Sequence, residues 1–306
     1  MKLRFDGRVA LVTGAGRGIG RAYAEWLAAR GARVVVNSRA HPGAPSAAQA
    51  VVDAIVAAGG TAVADEHTVA DEHSGIGMVE RARREFGRLD IVICNAAVSE
   101  GASVDMSMVQ VPIERFREFM DINFWGSMYP LLAALPHMYE QGYGRILLTS
   151  SANGLYGARG SAHYAASKSA VIGVARTLLL ETAKSRRDVK VNVVVPYAYT
   201  SMTRSIPPSL QERMSPDQVA LAGAWLCSEG CNQNGRIFSV GGGRLRRVVI
   251  AETPTVDIDS ENLGDAMRRL DSIDGVIESR NAAESAFALV PELLSATDRN
   301  PAPKKS

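Results

Sequence analysis

Seven short runs rich in valine, isoleucine and leucine punctuate this chain, and stretches of helical periodicity separate them. The runs are Arg8–Val12, Arg33–Asn37, Thr61–Ala64, Asp90–Asn95, Gly144–Ser150, Val189–Val195 and Arg236–Val240. Ile19–Arg30, Ser46–Ala58, 74–86, 112–140, 161–185 and 215–229 read as the helices. Strands that are apolar along their whole length offer no polar face to water, so both faces of their sheet must be covered. Strand and helix in alternation therefore specify a doubly wound parallel α/β sheet. In such a sheet ligands gather beyond the carboxyl ends of the strands.

At 306 residues the chain can bury one large core. Its net charge of +2 gives no general electrostatic reason to bind nucleic acid. No apolar run approaches membrane-spanning length, and Met1-Lys2-Leu3-Arg4 leads into a strand rather than a secretory signal. Three cysteines (Cys94, Cys227, Cys231) argue against a disulfide framework and fit a reducing compartment, so a cytoplasmic location is expected. Cys227 and Cys231 lack the second pair that a structural zinc would need. Asp65-Glu66-His67 and Asp71-Glu72-His73 hold ligand-type side chains. A polar loop entering a helix explains them, and no metal is expected. The basic cluster Arg244-Leu245-Arg246-Arg247 reads as a solvated surface segment.

Glu100–Val111 and Tyr197–Ser215 are long enough to act as substrate lids. After Gly243 the strand–helix rhythm stops. Residues 1–243 thus read as one domain, and 244–296 as an extension with helices near 260–270 and 282–295. The polar 297–306 reads as a disordered tail.

Gly14, Gly18 and Gly20 fall where the first strand hands over to the first helix. The first permits a tight turn, the second lets backbone approach a pyrophosphate, and the third lets helix pack on strand. The helix N-terminus then faces the phosphate charge. This is a Rossmann-type dinucleotide site. Cofactor choice is set at the end of the second strand, where a carboxylate selects NAD and an arginine accommodates the 2′-phosphate of NADP. The chain reads Asn37-Ser38-Arg39 there, with Arg17 in the glycine turn. Two guanidinium groups and no nearby carboxylate favour NADP(H) over NAD(H).

Tyr164 and Lys168 stand one helical turn apart, thirteen residues beyond Ser151. A free phenol titrates near about 10, and an adjacent cation favours its ionised form. Lys168 is thus expected to lower the pKa of Tyr164 and make it a usable acid/base. Ser151, at a strand end, can donate a hydrogen bond to a substrate oxygen as charge develops. His163 does not share a helix face with Tyr164 and reads as a surface or substrate-rim residue. The Ala- and Leu-rich stretch from Ser161 to Thr182 fits either a helix-packed homodimer or burial against the sheet.

The set Thr13-Gly14-x-x-x-Gly18-x-Gly20, Asn95-Ala96, Asn123, Ser151, Tyr164 and Lys168 resembles the classical short-chain dehydrogenase/reductases over residues 6–243. The resemblance implies that Tyr164 is the general acid/base and that Lys168 also holds the nicotinamide ribose. It further implies that Ser151 orients the carbonyl and that Asn123 holds a water in the proton relay. Ile19, Asn95, Ala96 and Pro196 join the glycines, Arg17, Ser38 and Arg39 as cofactor contacts. The chain departs from the family pattern at Cys94-Asn95-Ala96-Ala97, at Pro196-Tyr197 and at Asp65-Glu66-His67-Thr68. The first adds a methyl group near the cofactor, and the second places a ring where backbone normally nears the nicotinamide. The third leaves open which residue contacts adenine.

Within that family, Arg21-Ala22-Tyr23-Ala24, Ser150-Ser151-Ala152-x-Gly154-x-Tyr156-Gly157, Trp225-Leu226-Cys227 and Val240-Gly241-x-Gly243 resemble the (3R)-hydroxyacyl-CoA dehydrogenase part of the multifunctional peroxisomal β-oxidation enzymes. The implied activity is interconversion of a secondary alcohol and a ketone, on a 3-hydroxyacyl/3-oxoacyl thioester linked to CoA. The alternatives are a hydroxysteroid or other bulky ketone, or a non-catalytic NADP-binding protein. A homodimer or homotetramer is expected, with the extension supporting the dimer.

Overall fold

A computed structural model describes residues 3–99, 107–185, 187–203, 206–259, 262–270, 273–279 and 281–289. The proposed tail and most of the first candidate lid lie outside them. The seven apolar runs form β1 (Val9–Val12), β2 (Arg33–Asn37), β3 (Thr61–Asp65), β4 (Ile91–Cys94), β5 (Tyr143–Thr149), β6 (Asp188–Tyr197) and β7 (Ile237–Gly241). They pair in the order 3-2-1-4-5-6-7, all by parallel ladders. The reversal between β1 and β4 is the switch point where a doubly wound sheet leaves a crevice.

Helices α1 (Gly18–Ala28), α2 (Ala47–Ala57) and α9 (Pro216–Leu226) share one buried cluster with the sheet, built on Tyr23, Leu27, Val51, Ile55 and Val219. The others are α3 (Glu72–Phe86), α4 (Ile113–Phe119), α5 (Gly126–Gln141), α6 (Ala152–Tyr156), α7 (Ala162–Lys184) and α8 (Pro208–Gln211). α3 packs on α5, and α7 on β5 and β6.

The helix expected over 112–140 is not one continuous α-helix. Between α4 and α5 the chain makes a π-helical turn at Met120–Trp125. One residue more per turn changes which side chains face inward, and such turns recur at functional sites. Here the turn carries Asn123, which is fully buried.

The basic cluster is exposed, as a solvated segment should be, but it is also a strand, β8 (Arg244–Val248), at the sheet edge. A two-residue connection, Gly242-Gly243, admits only an antiparallel neighbour. Charges on an edge strand discourage pairing with another chain.

At the amino end of the sheet, Asp90 is completely buried. It accepts from Arg8 (2.9 Å), from Arg88 (2.6 and 2.7 Å) and from the Val9 amide (3.0 Å). Arg145, equally buried, donates to the carbonyls of Gly144, Asp188 and Ser228 and to the Asp188 carboxylate at 2.8 Å. Both guanidinium groups lie over the Tyr143 ring, Arg8 at 3.7 Å and Arg145 at 4.2 Å from its centroid. Burial raises the Tyr143 phenol to about 12, so it stays neutral there.

The chain divides between Arg247 and Val248. In the second unit β9 (Ala251–Glu252) pairs antiparallel with β10 (Ile277–Glu278), accompanied by α10 (Leu263–Leu270) and α11 (Ala282–Leu289).

Candidate active site

The glycine turn follows β1 and opens α1. Gly14 and Gly18 have φ of 64° and 57°, a region that side chains with a Cβ rarely adopt. A Cβ on Gly14 would stand 2.8 Å from the Ala96 Cα. Thr13 Oγ1 accepts from the amides of Asn95 (3.0 Å) and Ala96 (3.1 Å), and Asn95 Nδ2 returns a bond to the Thr13 carbonyl at 3.1 Å. The turn is thereby tied to the end of β4. No acidic residue sits in the first turn of α1, so its N-terminal amides face the cleft without competition. This cradle fits the pyrophosphate of a dinucleotide.

Gly20 lies beneath the cradle rather than on its surface. Its Cβ would meet the Gly14 carbonyl oxygen at 2.4 Å and Asn95 Nδ2 at 2.6 Å. Gly20→Ala should therefore push α1 off the turn. The expected cost is roughly 1–3 kcal/mol in urea unfolding, with weaker dinucleotide binding in a titration.

One cavity, about 320 Å³, is lined by Gly14, Gly18 and Ala96 together with Arg17, Ser38 and Arg39. Among the described residues neither Arg17 nor Arg39 makes an ion pair, and both are exposed. Asn37 is buried and donates to Asp65 Oδ1 (2.7 Å) and to the His67 carbonyl (2.9 Å). Asp65 also accepts from the His67 amide (3.2 Å) and pairs with His67 Nδ1 (2.9 Å). The carboxylate beside the end of β2 is thus already engaged. Asp71, from the second acidic triplet, caps α3 by accepting from the Ser74 amide at 2.8 Å. Both triplets therefore have structural partners.

A second cavity, about 460 Å³, holds Ser151, Tyr164, Lys168 and Pro196. The two cavities share Ile19, Asn95, Ala97, Thr200 and Met202 on their walls, so they adjoin. Ser151 sits where β5 gives way to α6, and its Oγ accepts from the Asn153 amide at 3.2 Å. Asn123 is not on the wall of either cavity. Its side chain accepts from the Val98 amide (2.8 Å) and donates to the Val98 carbonyl (3.1 Å) and Ser167 Oγ (3.2 Å). It joins the segment after β4 to α7, one residue before Lys168.

Burial raises the Tyr164 phenol above its usual value, and a hydrogen bond with Ser151 partly offsets this. The lowering expected from Lys168 does not appear. Lys168 Nζ instead donates to the Thr149 carbonyl at 3.0 Å. Lys168 is itself buried, which brings its ammonium down to about 8. His163 also departs from the surface reading. It is 1% exposed, meets Phe119 edge-on at 4.5 Å between centroids, and borders the Tyr164 cavity.

Two of the three family departures, at Ala97 and Tyr197, have simple consequences. Ala97 borders both cavities. Tyr197 borders neither, is 42% exposed, and stands in register with Gly241. A Cβ on Gly241 would lie 2.6 Å from that of Tyr197, so a glycine there leaves room for it. Sequence reasoning missed Thr149, Asn153, Ser161, Thr200 and Met202 on these walls. Their signal was position alone: Thr149 ends β5, Asn153 and Ser161 stand at the starts of α6 and α7, and Thr200 and Met202 follow Pro196. A larger, open depression of about 850 Å³ runs along β3 past Arg81 and Arg84, away from Tyr164.

Comparison with known proteins agrees with this geometry. The peroxisomal multifunctional enzyme type 2 of Drosophila melanogaster is 44% identical over 240 residues, covering 76% of this chain and 39% of its own. The chain thus spans well under half the length of that relative, and about a third of the mouse enzyme of the same name. The 3-oxoacyl-[acyl-carrier-protein] reductase of Escherichia coli is 36% identical over 205 residues, covering 67% of this chain and 79% of its own. The crystal structure of a short chain dehydrogenase from Mycobacterium avium superposes with a TM-score of 0.78 at 34% identity, over 91% of this chain and 99% of that one. The short chain dehydrogenase profile matches residues 8–211. With the glycine cradle opening onto the Ser151, Tyr164 and Lys168 cavity, this places the chain in the short-chain dehydrogenase family.

Proposed function

We propose that this protein is an NADP(H)-preferring oxidoreductase that interconverts a 3-hydroxyacyl and a 3-oxoacyl thioester, with CoA as the carrier. The observation that carries it is the joining of the two cavities. A dinucleotide held by the glycine cradle, with its adenosine end toward Arg39, reaches the wall on which Ser151, Tyr164 and Lys168 stand. The thioester reading draws on the multifunctional and 3-oxoacyl reductase relatives.

The nicotinamide, when bound, supplies or accepts the hydride. Tyr164 passes its proton to the substrate oxygen in reduction and recovers it in oxidation. Ser151 donates a hydrogen bond to that oxygen as negative charge develops on it. The raised Tyr164 phenol keeps its proton at neutral pH, which suits delivery to a ketone. Lys168, fixed by the Thr149 carbonyl, would hold the nicotinamide ribose when the cofactor is bound. Asn123 holds α7 in place through Ser167, next to Lys168. Arg17 and Arg39 bind the 2′-phosphate, with Ser38 beside them.

The test is nicotinamide absorbance with 3-oxoacyl-CoA substrates of several lengths and either reduced cofactor. Oxidation of NADPH in preference to NADH is the expected result. Arg39→Ser should raise the KM for NADPH about tenfold while leaving that for NADH within about twofold, since one charge-assisted contact contributes ~1.5 kcal/mol. Preference for NADH in the parent protein overturns the arginine reading but not the reaction. Turnover of steroid ketones alone favours the hydroxysteroid alternative. Tight NADPH binding without turnover of any ketone makes the protein a binding module.

We further propose a homodimer or homotetramer, supported by the exposed Leu132 on α5 and Leu180 on α7. No helix among the described residues is long and apolar enough to cross a membrane. The three cysteines are free and buried, which suits the reducing cytoplasm. The names of the multifunctional relatives point instead to the peroxisome.

A further inference from the structure

Thr149 ends β5 and borders the Tyr164 cavity while remaining 7% exposed. Its Oγ1 is shielded from solvent, and among the described residues it has no hydrogen-bond partner. Strand alternation fixes the direction of the side chain. Ser150, the next residue, donates its hydroxyl to the Lys168 carbonyl on α7 at 2.8 Å. Thr149 therefore faces the opposite side of the sheet, the side of Leu147, which packs in the same cluster as α1. The glycine turn and Ile19 lie on that side. The Thr149 carbonyl is meanwhile engaged by Lys168 Nζ.

A buried hydroxyl with no partner costs ~1–3 kcal/mol, and valine would fill the same shape without that cost. On the wall of a ligand cavity, such a group is matched by a polar atom of the ligand. Position decides which part of the ligand. Ser38 and Arg39 border only the first cavity, whereas Thr149 borders only the one that holds Tyr164.

We propose that Thr149 is a cofactor-positioning residue whose hydroxyl hydrogen-bonds the nicotinamide-ribose half of the dinucleotide while its carbonyl fixes Lys168. The proposal rests on the reading that the two joined cavities hold one dinucleotide. One residue then sets the spacing between the cofactor and the lysine beside the reacting centre.

The experiment compares the parent protein with Thr149→Val and Thr149→Ser. Calorimetry gives Kd for NADPH and NADH and for two probes that lack nicotinamide, 2′-phospho-ADP and ADP. Thermal unfolding is recorded without ligand. Thr149→Val should weaken the better-bound dinucleotide about three- to tenfold, the equivalent of one net hydrogen bond. It should leave the nicotinamide-free probes within about twofold, and the ligand-free Tm unchanged or higher. Thr149→Ser should restore the dinucleotide affinity. Unchanged dinucleotide affinity in Thr149→Val overturns the proposal alone. A lower ligand-free Tm with all four ligands weakened alike overturns it in favour of a structural hydroxyl. Failure of the parent protein to bind either dinucleotide overturns the underlying reading and this one with it.

Discussion

Tyr164→Phe is expected to lower kcat for 3-oxoacyl-CoA reduction about 10²- to 10⁴-fold, the usual contribution of a positioned acid. The loss should fall on the chemical step, so NADPH affinity should stay within about twofold. Phenylalanine keeps the ring that meets Phe119 edge-on at 6.2 Å between centroids, and it removes only the hydroxyl. Fold and cofactor cleft should therefore survive, and the circular dichroism spectrum should not change. Stopped-flow measurement of a single turnover separates chemistry from product release. A Tyr164→Phe enzyme with near-parent turnover means that the proton comes from elsewhere and that Tyr164 is not the acid.

Lys168→Met is expected to remove most turnover, by about 10²-fold or more, and to make the ligand-free protein more stable at neutral pH. Burial brings Lys168 from its ordinary 10.5 down to about 8. Below about pH 8 the folded and unfolded chains both carry the proton, and the cost of the buried charge is fully present. Between about 8 and 10.5 the folded chain has released a proton that the unfolded chain keeps, so stability rises with pH. Above that range the cost is gone. At ~1.36 kcal/mol for each unit, the difference is on the order of 3 kcal/mol. The lost hydrogen bond to the Thr149 carbonyl returns about 1 kcal/mol of this. Methionine fills similar space without charge, so Tm at pH 7 should rise by several degrees. The gain should disappear above about pH 10.5. A lower Tm at pH 7 would show that the ammonium stabilises the fold.

The sheet was readable because its strands are buried on both faces, and runs such as Val34-Val35-Val36 in β2 therefore carry an uninterrupted apolar signal. β8 was not readable as a strand for the converse reason: its edge position favours arginines, which look like any solvated segment. The break at Met120–Trp125 keeps a helical pattern in the sequence, and periodicity does not separate a π turn from an α turn over six residues. In the candidate site, Arg17 and Arg39 could be placed because each lies within a few residues of a glycine turn or a strand end. The engagement of Asp65 by Asn37 could not, since 28 residues separate partners that strand pairing makes adjacent. The same limit applies to Lys168. Its one-turn spacing from Tyr164 is local, but the carbonyl that takes its Nζ belongs to a strand 19 residues away.

The clamp of Arg8, Arg88, Asp90 and Arg145 around Tyr143 lies at the end of the sheet opposite the cradle. Anchoring and chemistry are thus housed at opposite poles of the same strands. The walls around Ser151 and Tyr164 are free to vary in size and polarity without loosening the clamp. A lineage could therefore exchange one ketone for another by local substitutions while inheriting its foundation unchanged.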